Sequence, residues 1–207
     1  MNADHENLCG SPEWAAWLQS EILPAVTAGI DLGHDMLEIG PGPGAATGWL
    51  CEHVASLTLL ETDAAAAAAL ATRHRGGNVT VDTGDAAHMP YGNESFDSVG
   101  SFTMLHHVPT AAEQYQILGQ AMRVLRPGGT LLGSDSLAST GLHDFHAGDT
   151  YNPVDPAVLL VWLRTLGFTP VTVIAGDVLM FVARKPEPAA PDADGDCDQR
   201  TKRETTP

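Results

Sequence analysis

Residues Met36–Leu50 read MLEIGPGPGAATGWL, and this stretch decides the fold of the chain. The apolar residues before Gly40 predict the end of a short buried strand, and the pattern after Gly44 predicts a helix from about Ala45 to Val54. Between them, three glycines alternate with two prolines. A strand, a glycine-rich turn and a helix form the arrangement in which a nucleotide-like ligand lies against a helix N-terminus.

The turn favours a ligand other than a pyrophosphate. Glycine lets the backbone approach a ligand without a Cβ in the way. Pro41 and Pro43 fix φ but have no N–H, which makes the turn a poor phosphate cradle. Two other interpretations stay open at this point. The spacing Gly40-x-Gly42-x-x-Ala45 also satisfies the dinucleotide fingerprint G-x-G-x-x-G/A, and a tight turn can occur without any ligand.

The composition predicts one soluble domain. The chain has 207 residues, of which 43% are hydrophobic, and this suffices for one sizeable core. No apolar run approaches a membrane span, and the N-terminus lacks the regions of a signal peptide, so we expect a cytoplasmic protein without a membrane partner. The cysteines Cys9, Cys51 and Cys197 form no C-x-x-C pair, and they predict neither a disulfide framework nor a zinc site.

The net charge of −16 argues against nucleic acid as a partner. Before residue 184 the basic side chains are Arg73, Arg75, Arg123, Arg126 and Arg164. A protein that neutralises phosphates needs a basic face, and these arginines are too few to form one. Anionic membranes are disfavoured for the same reason.

Strands and helices alternate along the rest of the chain. The predicted strands are residues 35–39, 56–60, 79–83, 96–105, 130–134, 171–174 and 179–183, and the predicted helices start near residues 12, 45, 64, 110 and 155. We expect Pro24 to end or kink the first helix, residues 126–129 to form a sharp turn, and residues 137–153 to form a loop. This pattern predicts a doubly wound α/β sheet whose closing two-strand hairpin makes one strand antiparallel.

Six motifs in a fixed order identify a family resemblance. They are EIGPGPG at 38–44, Glu61 at the end of the second strand, GDA at 84–86, FDSV at 96–99, LHHVP at 105–109 and RVLRPGG at 123–129. Residues 12–185 thereby resemble the class I S-adenosylmethionine-dependent methyltransferases of the small-molecule type. The resemblance implies a single Rossmann-like seven-stranded sheet in the order 3-2-1-4-5-7-6, with strand 7 antiparallel. Residues 186–207 are poor in apolar residues and predict a disordered tail.

The resemblance also implies S-adenosyl-L-methionine as the cofactor and assigns its methionine end. Glu38 and the backbone of Gly40, Gly42 and Gly44 should meet this end, where an ammonium group needs an anion or carbonyls. The fourth strand should pass the methionine and the methyl group at Ser101 and Phe102.

The ribose and the adenine are expected on the neighbouring strands. Glu61, followed by Thr62, should accept hydrogen bonds from the ribose hydroxyls. Asp85 should accept one from the adenine amino group, while the N–H of Ala86 faces a ring nitrogen. Two alternatives stay open: Glu61 can instead be an acid at the start of the next helix, and Asp85 a plain turn residue.

The methyl acceptor should approach from segments that can cover this edge of the sheet. His106 and His107 follow the fourth strand, where either can act as a general base or simply pack. The long stretch 137–153 has the character of a functional lid and contains His143, His146, Asp149 and Tyr151. We take His107, His146 and Tyr151 as the catalytic candidates and predict no metal. Trp14 and Trp17 either belong to the core or cover the acceptor pocket.

These observations predict a methyltransferase that acts on an O, N or C nucleophile of a small molecule. The acidic body favours a neutral or cationic acceptor, and we expect a monomer or a homodimer. Two alternatives stay open: an NAD(P)-dependent oxidoreductase, and a non-catalytic subunit that binds the cofactor as a regulator.

Overall fold

Seven strands form the centre of the molecule. They are β1 (Asp35–Ile39), β2 (Ser56–Glu61), β3 (Val79–Thr83), β4 (Phe96–Phe102), β5 (Leu125–Asp135), β6 (Val171–Ala175) and β7 (Leu179–Arg184). The computed structural model describes residues 7–188, and within them the strands form a sheet in the order β3-β2-β1-β4-β5-β7-β6. Strands β1 to β5 pair in parallel, and β7 is antiparallel to both β5 and β6. The predicted α/β class, strand order and antiparallel seventh strand are confirmed.

Helices connect most of the strands. They are α1 (Pro12–Trp17), α2 (Leu23–Thr27), α3 (Thr47–His53), α4 (Ala64–Arg73), α5 (Ala111–Val124), α6 (Thr140–Phe145) and α7 (Pro156–Thr165). Polar residues determine where several of them begin. The Asp63 carboxylate accepts hydrogen bonds from the first-turn N–H groups of α4, and Thr110 and Glu113 form a reciprocal capping box at α5.

Apolar side chains cover both faces of the sheet. Leu18, Leu50 and Leu70, from the helical segments that precede β3, belong to a core cluster on one face. Leu118 of α5 and Leu163 of α7 belong to the cluster on the other face. Because both faces are covered, a ligand can reach the sheet only where the strands end.

The amino ends of the central strands are held together by one arginine. Arg126 contacts Asp97 at 2.6 Å and Asp35 at 3.0 Å, and so ties β5 to β4 and β1. The second carboxylate oxygen of Asp97 accepts hydrogen bonds from the backbone N–H groups of His34 and Asp35, both at 2.9 Å. These contacts hold the amino edge of the sheet together, so we expect the functional site at the opposite, carboxyl edge.

The N-terminal helical segment continues past Pro24, and the predicted irregularity at this proline is a change of helix type rather than an end of the helix. A π-helical turn spans Leu18–Ile22, and the N–H of Leu23 donates to the carbonyl of Leu18. This wider turn shifts the hydrogen-bond register just before the proline ring, which would clash in a regular helix interior. The chain therefore stays helical as far as Thr27.

Three local predictions are wrong. Residues 137–153 contain helix α6, whose first turn is capped by Ser139, so this stretch is not irregular throughout. Residues 126–129 are part of β5 rather than a separate turn, and they form an irregularity within it, where the β4–β5 register shifts and Gly128 has a φ of +74°. Strand β4 ends at Phe102, since Thr103 has a φ of +53° that breaks the extended backbone.

The predicted tail lies mostly outside the described residues, because the description ends at residue 188. Among residues 7–188, none of the helices has the length and apolar character needed to span a bilayer.

Candidate functional site

The glycine turn after β1 forms the centre of the site. Gly40 and Gly42 have φ values of +60° and +53°, a region that favours glycine. A Cβ at Gly40 would lie 2.3 Å from Met104 Cγ, whereas one at Gly42 would meet nothing within 4 Å. The first glycine is therefore required by packing and the second faces open space. The N–H of Gly40 donates to the carbonyl of Leu60, which attaches the turn to β2.

Glu38 places a buried carboxyl group directly below the turn. Its exposed fraction is 2%, and one of its oxygens accepts a hydrogen bond from the Thr47 hydroxyl at 2.7 Å. Burial raises the pKa of Glu38 to about 7, and the nearby charge of Glu61 contributes to the increase. A cation placed beside this carboxyl would offset its burial, so the group fits the ammonium of an amino-acid ligand.

Glu61 ends β2 next to the same turn. Its carboxylate accepts hydrogen bonds from the N–H of Gly42 and the N–H of Asp63, both at 2.9 Å. A carboxylate offers about four acceptor positions, so capacity remains for further donors. The N-cap of α4 is Asp63, and Glu61 lies two residues before it and accepts its N–H, so Glu61 is also an acid near the start of that helix. Thr62, which follows Glu61, also lies at the cavity described below.

Asp85 follows β3 and caps the short 3₁₀ turn Ala86–His88. Its two oxygens contact the N–H of Ala87 at 2.8 Å and Nδ1 of His88 at 3.0 Å. These two hydrogen bonds hold the pKa of Asp85 below its ordinary value. Asp85 is therefore a turn residue that is also ionised at the edge of the cavity.

A cavity of about 620 Å³ joins these groups at the carboxyl edge of the sheet. This volume lies within the range of small-molecule sites. The predicted cofactor residues that line it are Glu38, Gly40, Gly42, Glu61, Thr62, Asp85, Ala86 and Phe102.

Two predicted cofactor residues lie outside the lining of this cavity. A Cβ at Gly44 would lie 2.6 Å from Leu70 Cδ2, so this glycine allows close packing of the turn against α4. Ser101 is 2% exposed within β4, and its hydroxyl has no hydrogen-bond partner among the described residues.

Another part of the cavity wall contains residues for which the sequence analysis predicted a place on the acceptor side. Trp14, His107 and residues 148–150 line it. The other two catalytic candidates, His146 and Tyr151, do not belong to the lining. They stack on each other with ring centroids 4.4 Å apart and pack against His106, which is itself buried. Trp17 packs against a core cluster instead of the cavity.

Sequence reasoning missed the partner of His106. Nδ1 of His106 is hydrogen bonded to the carboxylate of Asp135, the last residue of β5. Asp135 also accepts from the backbone N–H of Ser136 at 2.6 Å and of His106 at 3.3 Å. No local signal predicts this pair, because it depends on β4 and β5 ending side by side.

The histidines of the acceptor side form a group that the sequence analysis did not anticipate. One ring nitrogen from each of His106, His107 and His146 lies within 4.8 Å of the other two, a geometry that could hold a metal ion. His143, which shares helix α6 with Asp144, instead points to the surface with a side chain 79% exposed.

Comparison with known proteins relates the fold to one family. A family model described as a methyltransferase domain matches residues 37–133, the segment that carries the glycine turn, Glu61 and Asp85. The strand order is the one that this family's resemblance predicts. The matched family model, the curated relatives and the strand order together support a class I S-adenosylmethionine-dependent methyltransferase.

Curated methyltransferases are similar in sequence to part of the chain. Methyltransferase GfsG of Streptomyces halstedii is 29% identical over 56% of this chain and 42% of its own length. Phthiotriol/phenolphthiotriol dimycocerosates methyltransferase 1 of Mycobacterium ulcerans is 32% identical over 59% of this chain and 45% of its own length. The chain thus spans less than half the length of these two relatives.

A solved structure shows the same fold in a methyltransferase. Phosphoethanolamine N-methyltransferase 2 of Haemonchus contortus, in complex with S-adenosyl-L-methionine, superimposes with a TM-score of 0.67 at 16% identity. The superposition covers 82% of this chain and 52% of that one. At this identity the similarity concerns the fold alone.

Proposed function

We propose that the chain binds S-adenosyl-L-methionine and transfers its methyl group to an O, N or C nucleophile of a small molecule. The observation that carries the proposal is the pair of carboxyl groups, Glu38 and Glu61, on either side of the Gly40–Gly42 turn in one cavity. The matched family model and the names of the curated relatives, which are methyltransferases, support the same activity.

The proposed cofactor fits the groups that the chain offers. Glu38 would hold the ammonium of the methionine end, where a cation offsets the burial of the carboxyl. Glu61 would accept hydrogen bonds from the ribose hydroxyls with the acceptor positions that Gly42 and Asp63 leave available. Asp85 and the backbone of Ala86 would meet the adenine at the third strand.

When bound, S-adenosylmethionine supplies a methyl group on a sulfonium sulfur, which is transferred by in-line displacement. The chain mainly has to align the acceptor with that methyl group and exclude water, and alignment alone can supply a large part of the rate. Trp14, His107 and residues 148–150 surround the space in which an acceptor can approach. A general base is needed only if the acceptor must lose a proton.

The acceptor that we favour is a small neutral or cationic molecule. The chain carries a net charge of −16, which repels anionic acceptors and gives no basic face for nucleic acid. A cavity of about 620 Å³ accommodates a cofactor and part of a small acceptor.

A metabolite panel tests the proposed activity. The full chain is incubated with S-adenosylmethionine and candidate acceptors, and mass spectrometry follows S-adenosylhomocysteine together with a methylated product. We expect stoichiometric formation of both with at least one small molecule bearing a hydroxyl, amine or activated carbon. If the chain bound the cofactor tightly but methylated none of the acceptors, that result would favour the non-catalytic cofactor-binding protein instead.

A further inference from the structure

Three histidines meet where the acceptor side of the cavity joins the core. His106 and His107 belong to the 3₁₀ turn after β4, and His146 is the C-terminal cap of α6. One ring nitrogen from each lies within 4.8 Å of the other two, close enough for a single ion to contact all three. His106 and His146 are 4% and 3% exposed, so two of the three are almost withdrawn from solvent.

Hydrogen bonds fix the orientation of two of these imidazoles. Nδ1 of His146 lies 2.6 Å from the carbonyl oxygen of Leu142, and a carbonyl can only accept. His146 therefore carries a proton on Nδ1, and in its neutral form Nε2 has a lone pair. Nδ1 of His106 faces Asp135 in the same way. Histidines that ligate metals almost always donate their other ring N–H to a carboxylate or a backbone carbonyl, and here both kinds of partner are present.

The third histidine connects the cluster to the cavity. His107 is half-buried and lines the cavity, as do residues 148–150, which follow His146 closely. Its ring lies 3.9 Å from that of His106 and 5.6 Å from that of His146, measured between centroids. A catalytic metal site typically has three protein ligands and one further coordination position that is open to a cavity. A structural site, in contrast, has four protein ligands and no open position.

We propose that His106, His107 and His146 bind one divalent transition-metal ion of the zinc class at the acceptor side of the cavity. Neutral imidazoles suit Zn²⁺, Fe²⁺, Co²⁺ and Ni²⁺, whereas Mg²⁺ and Ca²⁺ prefer oxygen ligands, which this cluster does not offer. Asp135 is a positioning residue that acts through His106.

The role of the ion rests on the proposed methyl transfer. An acceptor hydroxyl bound to the ion loses its proton to water more readily, because the metal charge stabilises the alkoxide. The alkoxide oxygen then forms a bond to the methyl carbon as the bond from that carbon to sulfur breaks, and the bonding electron pair goes to sulfur. The products are a methyl ether, neutral S-adenosylhomocysteine and the released proton. The site would thus select an oxygen nucleophile.

Metal binding is tested directly and without turnover. The untagged full chain is freed of metal with a chelator, dialysed, and titrated with Zn²⁺, Co²⁺ and Mg²⁺ by calorimetry, and the visible spectrum of the Co²⁺ complex reports its coordination. We expect one Zn²⁺ per chain with micromolar or tighter affinity, a Co²⁺ spectrum of low coordination number, and no binding of Mg²⁺.

Variants identify the ligands. His107→Ala and His146→Ala should each weaken Zn²⁺ binding at least about a hundredfold, and Asp135→Asn about ten- to a hundredfold, as partners of metal-bound histidines do. His143→Ala, on the exposed side of α6, is the matched control and should bind Zn²⁺ as the wild type does. Circular dichroism and thermal unfolding establish that each variant is folded, and His107→Asn serves as the milder variant at the half-buried position.

Two results would overturn the metal proposal. One is a folded wild-type chain that does not bind Zn²⁺ at a single site, and the other is undiminished binding by His107→Asn and His146→Ala together. S-adenosylhomocysteine is titrated into the same samples, because the proposed cofactor site uses Glu38 and Glu61 rather than the histidines. A wild-type chain that binds S-adenosylhomocysteine but not Zn²⁺ would refute the ion alone, and one that binds Zn²⁺ but not S-adenosylhomocysteine would refute the proposed methyl transfer alone.

Discussion

Binding of the cofactor should release a proton from Glu38. The carboxyl is buried below the glycine turn, and its pKa is raised to about 7 by burial, so it is largely protonated in slightly acidic solution. If the ammonium of the cofactor lies beside it, the ionised form becomes favoured and the proton leaves. Affinity for S-adenosylhomocysteine should consequently increase as the pH rises toward 7.

The size of this effect follows from the pKa. With a pKa of about 7, roughly nine-tenths of Glu38 is protonated at pH 6 and about half at pH 7. Binding should therefore release about 0.9 protons at pH 6 and about 0.5 at pH 7 if Glu38 is fully ionised in the complex. The apparent affinity should increase about fivefold over that interval. The ligand's own α-amino group ionises near pH 8, so it contributes little in this window.

Calorimetry in pairs of buffers with different ionisation enthalpies measures the proton count directly. Glu38→Gln keeps the shape of the side chain and should abolish both the proton release and the pH dependence. It should also weaken binding by about 1.5–3 kcal/mol, the scale of a hydrogen bond to a charged group. Glu52→Gln, the same substitution at an exposed position of α3, is the control and should behave as the wild type. Proton release that persists in Glu38→Gln would refute the assignment of the ammonium to Glu38.

Three further results are expected. Glu61→Ala should weaken cofactor binding by about 1.5–3 kcal/mol through loss of the ribose hydrogen bonds, and unchanged affinity in a folded variant would exclude the ribose assignment. His146→Ala or Tyr151→Phe should lower the rate of methyl transfer at least about tenfold, equivalent to roughly 1.4 kcal/mol, while the cofactor affinity changes less than about threefold. Normal turnover by both variants would exclude residues 137–153 from the acceptor side. Truncation after Lys185 should leave the melting temperature and the cofactor affinity intact, because the following residues are poor in apolar groups, and a large fall in melting temperature would show that they are docked.

The fold could be predicted because its signals are local and repeated. Apolar strands alternate with helices, and N-cap residues such as Asp63 and Thr110 mark where helices begin. The glycine turn and the acid at the end of β2 specify where a ligand can lie, because parallel strands present their carboxyl ends at one edge.

The differences from the predicted helices have local physical causes. A π-helical turn before Pro24 lets the helix continue, and this turn leaves no signature in composition or periodicity. Helix α6 is only six residues long, too short for its apolar pattern to stand out inside residues 137–153.

The histidine cluster could not be predicted because it depends on contacts between distant segments. The pair of His106 and Asp135 requires the adjacent ends of β4 and β5, and His146 reaches it from α6. His143 and His146 belong to the same stretch, residues 137–153, yet the structure turns His143 to the surface.

The most direct test of the account is a calorimetric titration of the full chain with S-adenosylmethionine and, separately, with NAD⁺. The two carboxyl groups at the Gly40–Gly42 turn predict saturable binding of S-adenosylmethionine with one site per chain, weakened by Glu61→Ala, and no binding of NAD⁺. Saturable binding of NAD⁺ without binding of S-adenosylmethionine would contradict the account and assign the turn to a dinucleotide.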